Sequence, residues 1–257
     1  MRRYSPRYKR IIKKDTFYQT PYGLLSFQLS RSSARRSLAI TIDENARVQV
    51  AAPYLCSEKE IFSFIKQKSQ WIFEKIAEAK QHLQTINNKR FCDGHTFLYL
   101  GKSLPLAVKT KDIKRSRIEF DGFQWKVDVP QELALHKQEQ AVKAKLIQWY
   151  RQQAQEILGG RIFHHARRMN LTPNKVAVRS FKRLWGNCDY NTKTIQLNWQ
   201  VILSPLNVID YVVVHELCHL VHPNHSQRFW KKVEKYMPDY REHKRWLKEH
   251  ATHMVLP

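Results

Sequence analysis

The stretch VVVHELCHLVHPNHSQRFW, residues 212–230, concentrates the chemistry of this chain, with four histidines at positions 215, 219, 222 and 225. His215 and His219 are four residues apart. On an α-helix, four steps of about 100° bring two side chains to within roughly 40° of each other, one turn along. Two imidazoles so placed reach one ion with Zn–N bonds of about 2.0–2.1 Å, whereas on a strand they would stand roughly 13 Å apart. Glu216 follows the first histidine and flanks the ion, where a carboxylate can take a proton from a metal-activated water. This is the HExxH arrangement. The plainer alternative is a pair of hydrogen-bonded core histidines. Against it, VVV before the motif and LV after it make the segment a buried helix. A buried His-Glu-His set costs several kcal/mol of desolvation unless it is paired or metal-bound.

Two residues compete as third ligand. His222 lies on the same helical face as His219, but Pro223 disfavours the α conformation in the residue before it, so the helix is expected to end near His222. His225 lies beyond Pro223 and Asn224, where the chain turns and approaches the ion from a new direction. That closes three corners of a tetrahedron better than three ligands on one stripe, and His225 is preferred. Cys218 points away from the pair and reads as core. The expected set is one zinc per chain held by His215, His219 and His225, with Glu216 as general base. Tyr190, Tyr240, Arg241 and His243 are candidates by type for charge stabilisation.

Helices and strands must place these residues. Ser204 as N-cap and Pro205 at the first helical position predict the start of the histidine helix. After it, Ser226 is expected to cap a second helix, QRFWKKVEKYM, whose apolar residues Phe229, Trp230 and Val233 pack beneath the first. Upstream, KVAVRS and TIQLNW read as strands around the loop RLWGNCDYNTK. TIQLNW is the strand expected to border the cleft and offer its backbone to an extended peptide. A long helical segment covers about 132–169, broken or kinked at Gly159-Gly160. Before that, LLSFQLS, SLAITI, VQVAAP, TFLYLG, LPLAVK, RIEF and WKVDVP carry β signals, with turns at DENA and Asp121-Gly122. Between them, residues 57–84 repeat Ile61, Phe64, Ile65, Ile72 and Ile76 at helical spacing behind a Ser57/Glu60 capping box. No internal repeat is evident. The expected class is α+β. The expected parts are a basic, disordered tail over 1–15, a β-rich region over 16–130 with one helix, and a helical catalytic core over 131–257 that can be continuous with it.

Composition sets outer limits. The 257 residues suffice for a sizeable core. No apolar run approaches the ~20 residues that span a bilayer. The four cysteines are far apart, so they read as reduced thiols in a cytoplasmic protein. Forty-five Lys and Arg against 22 Asp and Glu give a net charge of +23, which raises the possibility of nucleic-acid or nucleotide affinity. The first fourteen residues hold seven of those basic side chains and no acidic one.

VIDYVVVHELCHLVHPNHSQRFW followed by MPDY closely resembles the YgjP-like metallopeptidases, relatives of the SprT-type zincins. LWGNC, TIQLNW and SPLNVIDY are similar to the family's WGSC-and-LN block. SARRSLAITI, KSQWI and DGHTFLYLG match more loosely, so the resemblance covers roughly residues 20–250. It implies a zincin-like core with zinc on His215, His219 and His225 and with Glu216 as catalytic base. Departures fall at Asn187, where the family has serine, at His95, where an acidic residue is common, and at Cys218, where alanine is common. None removes a ligand.

The expected function is therefore a zinc-dependent hydrolase, a metallopeptidase acting on a peptide or protein. One rival is a nucleotide pyrophosphohydrolase on the same site, since some YgjP-like proteins are described as acting on UTP. No Walker-type loop and no Mg²⁺-type carboxylate cluster supports it. A second rival is a nucleic-acid-binding module with structural zinc, for which a base beside an open metal position has no use.

Overall fold

The structure is a computed structural model. It describes residues 11–43, 45–87, 89–182, 184–251, 254 and 256. Contacts divide the chain into two compact units, one up to Asn88 and one from Lys89 onward.

In the first unit, β1 (Ile11–Thr20) and β2 (Gly23–Ser32) form a hairpin paired from Thr20↔Gly23 out to Ile11↔Ser32. Its turn is set locally: Gly23 has φ +130°, and the Thr20 hydroxyl donates to the Gly23 carbonyl at 2.8 Å. The expected tail is thus corrected over residues 11–15, which are strand; residues 1–10 lie outside the described residues. The charge run hid a strand whose pairing comes from its partner, not from its own apolar pattern. β3 (Ala39–Ile42) and β4 (Val48–Pro53) are the expected hairpin, with Asp43 Oδ1 accepting from the Asn45 and Arg47 amides at 2.9 and 2.8 Å. The sheet runs β1-β2-β4-β3, with β2 and β4 parallel. The following helix, α1 (Glu58–Asn87), opens on the Ser57/Glu60 capping box: the Ser57 amide donates to Glu60 Oε2 and the Glu60 amide to Ser57 Oγ. Ile61, Ile65 and Ile72 on α1 are buried with Leu25, Phe27 and Val50 in one cluster.

The second unit begins the same way. β5 (Thr96–Tyr99), β6 (Lys102–Lys111), β7 (Arg117–Phe120) and β8 (Trp125–Pro130) form a sheet in the order β5-β6-β8-β7. Its pairings are antiparallel, parallel and antiparallel, as in the first sheet, and a long helix again follows. Both fourth strands bury alternate residues, Val48, Val50 and Ala52 in one and Trp125, Val127 and Val129 in the other, and both end in proline. The expectation of no internal repeat is therefore corrected. The repeat lies in strand order, pairing and burial.

Helix α2 (Leu135–Met169) is continuous through Gly159-Gly160 and closes on Asn170 in the left-handed conformation, φ 52°. The expected break does not occur. Leu158 and Ile162, on either side of the glycines, are buried in the core, and that burial outweighs a glycine cost of about 1 kcal/mol each. The β5–β8 sheet and α2 share one core, in which Trp125, Leu146 and Tyr150 are fully buried. The contacts divide the chain near residue 88.

A three-stranded sheet follows in the order β10-β11-β9: β9 (Lys175–Arg179) pairs parallel with β11 (Thr194–Asn198), and β10 (Gly186–Asp189) pairs antiparallel with it. The expected loop RLWGNCDYNTK thus contains a strand. Then come a 3-10 turn (Trp199–Leu203) and helices α3 (Leu206–His219), α4 (Gln227–Tyr236) and α5 (Tyr240–His250). Ser204 does not cap α3; its hydroxyl is turned back to the Val201 carbonyl at 2.6 Å. The α2 side chain Arg161 grips Asp210 of α3 through both oxygens, at 2.5 and 2.6 Å, which fixes α3 against α2. Among the described residues no helix is long and apolar enough to cross a membrane.

Candidate active site

Helix α3 is buried along most of its length, with Val208, Ile209, Val212, Val213, Val214 and Leu217 in the core. Its last two turns carry His215, Glu216 and His219. The helix ends at His219, three residues before the expected His222, and the His222 amide still donates to the Cys218 carbonyl at 3.0 Å. The chain then turns through Pro223 and Asn224 and delivers His225 from the far side. Ser226 caps α4 by accepting from the Phe229 amide, as its sequence position predicts.

The three histidines converge. His215 Nε2 lies 3.2 Å from His219 Nε2 and 3.0 Å from His225 Nε2. No other group of three or more His, Cys, Asp or Glu among the described residues is close enough to share an ion. His219 Nδ1 is 3.0 Å from the His222 carbonyl, an acceptor, so Nδ1 carries the proton and Nε2 presents a lone pair. His222 meets His219 through its backbone carbonyl. Phe229 forms the floor, its ring centroid 4.9, 4.5 and 4.9 Å from those of His215, His219 and His225. Trp230 stacks on His225 at 5.5 Å.

Burial favours the neutral form of His215 and His219. It depresses the His215 imidazole to about 3, reinforced by the neighbouring His219 and His225 and by Lys244. His219 is lowered as well, chiefly by burial. Burial alone pushes Glu216 up to about 8. Glu216 is 5% exposed, and Gly186 of β10 lies directly on it. A Cβ at Gly186 would stand 2.6 Å from Glu216 Oε1 and 2.7 Å from its Cγ, so any side chain there must displace Glu216. The next inward residue of β10, Cys188, has its thiol pushed up to about 12 by burial and by Glu216.

A cavity of about 430 Å³ opens beside this cluster. Its wall includes His215, Glu216, Gly186, Trp185 and Tyr211, with Lys244 and Lys248 from α5. Tyr211 stands one turn before His215, its phenol raised to about 12 by burial and then by Tyr240 and Glu216.

A model of the YgjP-like metallopeptidase domain matches residues 36–250. The chain belongs to the YgjP-like metallopeptidase family. It is by that membership a metallohydrolase of the peptidase class, and the family implies a divalent metal and a peptide or protein substrate. No curated protein matches the chain. Among solved structures, it is similar to the metallopeptidase zymogen of Pyrococcus abyssi abylysin, at 25% identity over 38% of this chain and 99% of that one, with a TM-score of 0.34. It is also similar to the zymogen of Methanocaldococcus jannaschii jannalysin, at 18% identity over 37% and 96%, also with a TM-score of 0.34.

Within this YgjP-like site, the residues singled out in the sequence separate into two groups. His215, Glu216, His219 and His225 come together. Cys218 is fully buried and its thiol is raised to about 12 by burial, consistent with a core residue. The candidates for charge stabilisation do not line the cavity: Tyr240 is buried against Trp230, His243 bonds Asp239 at 3.0 Å, Arg241 pairs with Glu234 at 3.0 Å, and Tyr190 is exposed. Tyr211, Lys244 and Lys248 take their place on the wall. Sequence alone held one signal for Tyr211, its position four residues before His215 on the same helix. TIQLNW forms β11, paired on both sides, so its backbone cannot receive a peptide; β10 is the sheet's edge on the Glu216 side.

Proposed function

We propose that the protein is a zinc-dependent peptidase in which His215, His219 and His225 hold one zinc and Glu216 is the general base. The observation that carries the reading is the triangle of imidazole Nε2 atoms, two of its sides 3.0 and 3.2 Å long. Bonds of about 2.0–2.1 Å in a tetrahedron set ligand nitrogens about 3.3–3.4 Å apart, close to that spacing. The lowered pKa values of the His215 and His219 imidazoles suit it too. With His219 held as the Nδ1–H tautomer, its Nε2 lone pair faces two more Nε2 atoms, an arrangement that favours a cation at the centre. Zinc held by His215, His219 and His225 would supply Lewis acidity for a substrate carbonyl and a water in the site. The Glu216 carboxylate takes the proton from that water and holds it for the leaving amine. His222 fixes the His219 ring through its carbonyl, and Phe229 keeps solvent from beneath the cluster. Extended substrate adds to the unpaired edge of β10, which runs past Glu216.

The test is metal analysis joined to an activity screen over peptides and nucleoside triphosphates, UTP included. About one zinc per chain is expected, lost on His215→Ala, His219→Ala or His225→Ala and kept on His222→Ala. Glu216→Gln should keep the zinc and lower peptide hydrolysis by about two orders of magnitude or more. Zinc that survives His225→Ala and leaves with His222→Ala would overturn the ligand set. Turnover of UTP but of no peptide would move the same site to nucleotide hydrolysis.

A further inference from the structure

We infer that the cavity beside Glu216 is a subsite for a carboxylate on the substrate, read by Lys244 and Lys248. The inference rests on the peptidase reading and specifies its substrate class.

The two lysines are four residues apart on α5, so their side chains leave the same helical face one turn apart. Leu247 and Ala251 line the cavity from that same face, three and seven residues after Lys244. The alignment is therefore a property of the helix and not of one flexible side chain. Lys244 is also held in place: its Nζ lies 4.2 Å from the Trp230 ring centroid, and Trp230 stacks on His225. A cation over an indole face is attracted by the ring but keeps its N–H donors for another acceptor.

Charge on the wall is unbalanced. Among the described residues that line the cavity, Glu216 is the one carboxylate, against two ammonium groups. Among the described residues neither lysine forms an ion pair, while their α5 neighbour Arg241 pairs with Glu234 and Asp239 binds His243. The rest of the wall is mainly apolar: Leu184, Trp185, Val212 and Leu247 surround the space. An apolar slot with two unpaired cations at its rim suits a short side chain or chain end that terminates in a carboxylate. That carboxylate has two sources in a peptide: an Asp or Glu side chain next to the cleaved bond, or the C-terminus itself.

The experiment uses the full-length zinc-loaded protein and a peptide found to be cleaved in a mixed library. Two matched pairs are made from it, Glu against Gln beside the cleaved bond and free C-terminal acid against amide. One carboxylate form should exceed its neutral twin in kcat/KM by about tenfold, the factor that 1.4 kcal/mol supplies. The pair that discriminates identifies the source. In Lys244→Gln/Lys248→Gln that ratio should collapse towards one, and Lys248→Arg should retain more of it than Lys248→Gln. Zinc content and thermal melting, measured on each variant, show that the site is intact. Equal cleavage of acid and neutral twins, or a ratio that survives in the double variant, overturns the subsite and leaves the peptidase standing. If the zinc-loaded protein cleaves no peptide at all, the peptidase reading fails and the subsite falls with it.

Discussion

Glu216 and His215 are neighbours whose burial acts in opposite directions. In the metal-free fold the carboxyl is raised from its ordinary 4.5 to about 8, so there it holds its proton where the unfolded chain has released it. A cation on the three imidazoles would instead favour the carboxylate. A folded-state value above the unfolded one gives stability that is complete below the lower value and is lost as pH rises through the upper one. The imidazole is depressed from 6.5 to about 3, so its contribution is complete above the upper value and is lost as pH falls through the lower one. In metal-free protein, the melting temperature should therefore decline between about pH 5 and 8 on account of Glu216, and below about pH 6 on account of His215. Glu216→Gln should flatten the alkaline decline and leave the acid one. Thermal melts of both proteins in metal-free buffers check this, and equal alkaline slopes would mean that the carboxyl is not held neutral by burial.

At the scale of elements, the approach of β10 to α3 constrains Glu216. Gly186→Ala puts a methyl into the Glu216 carboxyl, which is buried and has little room to retreat. Peptide hydrolysis should fall by about tenfold or more, with a stability loss of about 1–3 kcal/mol for the overpacking and zinc retained. Parallel zinc analysis, urea melts and kinetics would show this, and unchanged kinetics would place the carboxylate's working position away from β10. The sequence disclosed the HExxH helix because its signal is local: residue types at helical spacing between a start and a stop. It disclosed the Ser57/Glu60 box and the Asp121-Gly122 turn for the same reason. It did not disclose β1 or β10, whose pairing is supplied by β2 and β11 and whose own residues are charged or turn-like. Nor did it show that Ser204 turns back to Val201 when its place before Pro205 suggests a cap. Lys244 and Lys248 were equally hidden. In a chain with 45 basic residues, only the fold distinguishes two lysines on a cavity wall from the rest.

Each compact unit of the molecule closes its own core. The buried apolar residues of the first unit form one cluster from Leu25 to Ile72, and those of the second form another from Phe91 to Leu256. Among the described residues, neither cluster draws a buried residue from the other unit. The repeated strand order explains how sequence patterning suggested a boundary near residue 130. β5–β8 are β-rich like β1–β4, so composition groups them together, but their apolar faces pack with α2 and the site helices. A unit with its own core is expected to fold alone. Residues 89–257, expressed without the first unit, should therefore melt cooperatively and bind about one zinc through the same three histidines. Zinc analysis and a thermal melt of that fragment, beside the full chain, test the division. A fragment that binds zinc but has lost peptide hydrolysis would assign the first unit a part in holding substrate. A fragment that neither melts cooperatively nor binds zinc would show that the second core is incomplete without residues before Lys89.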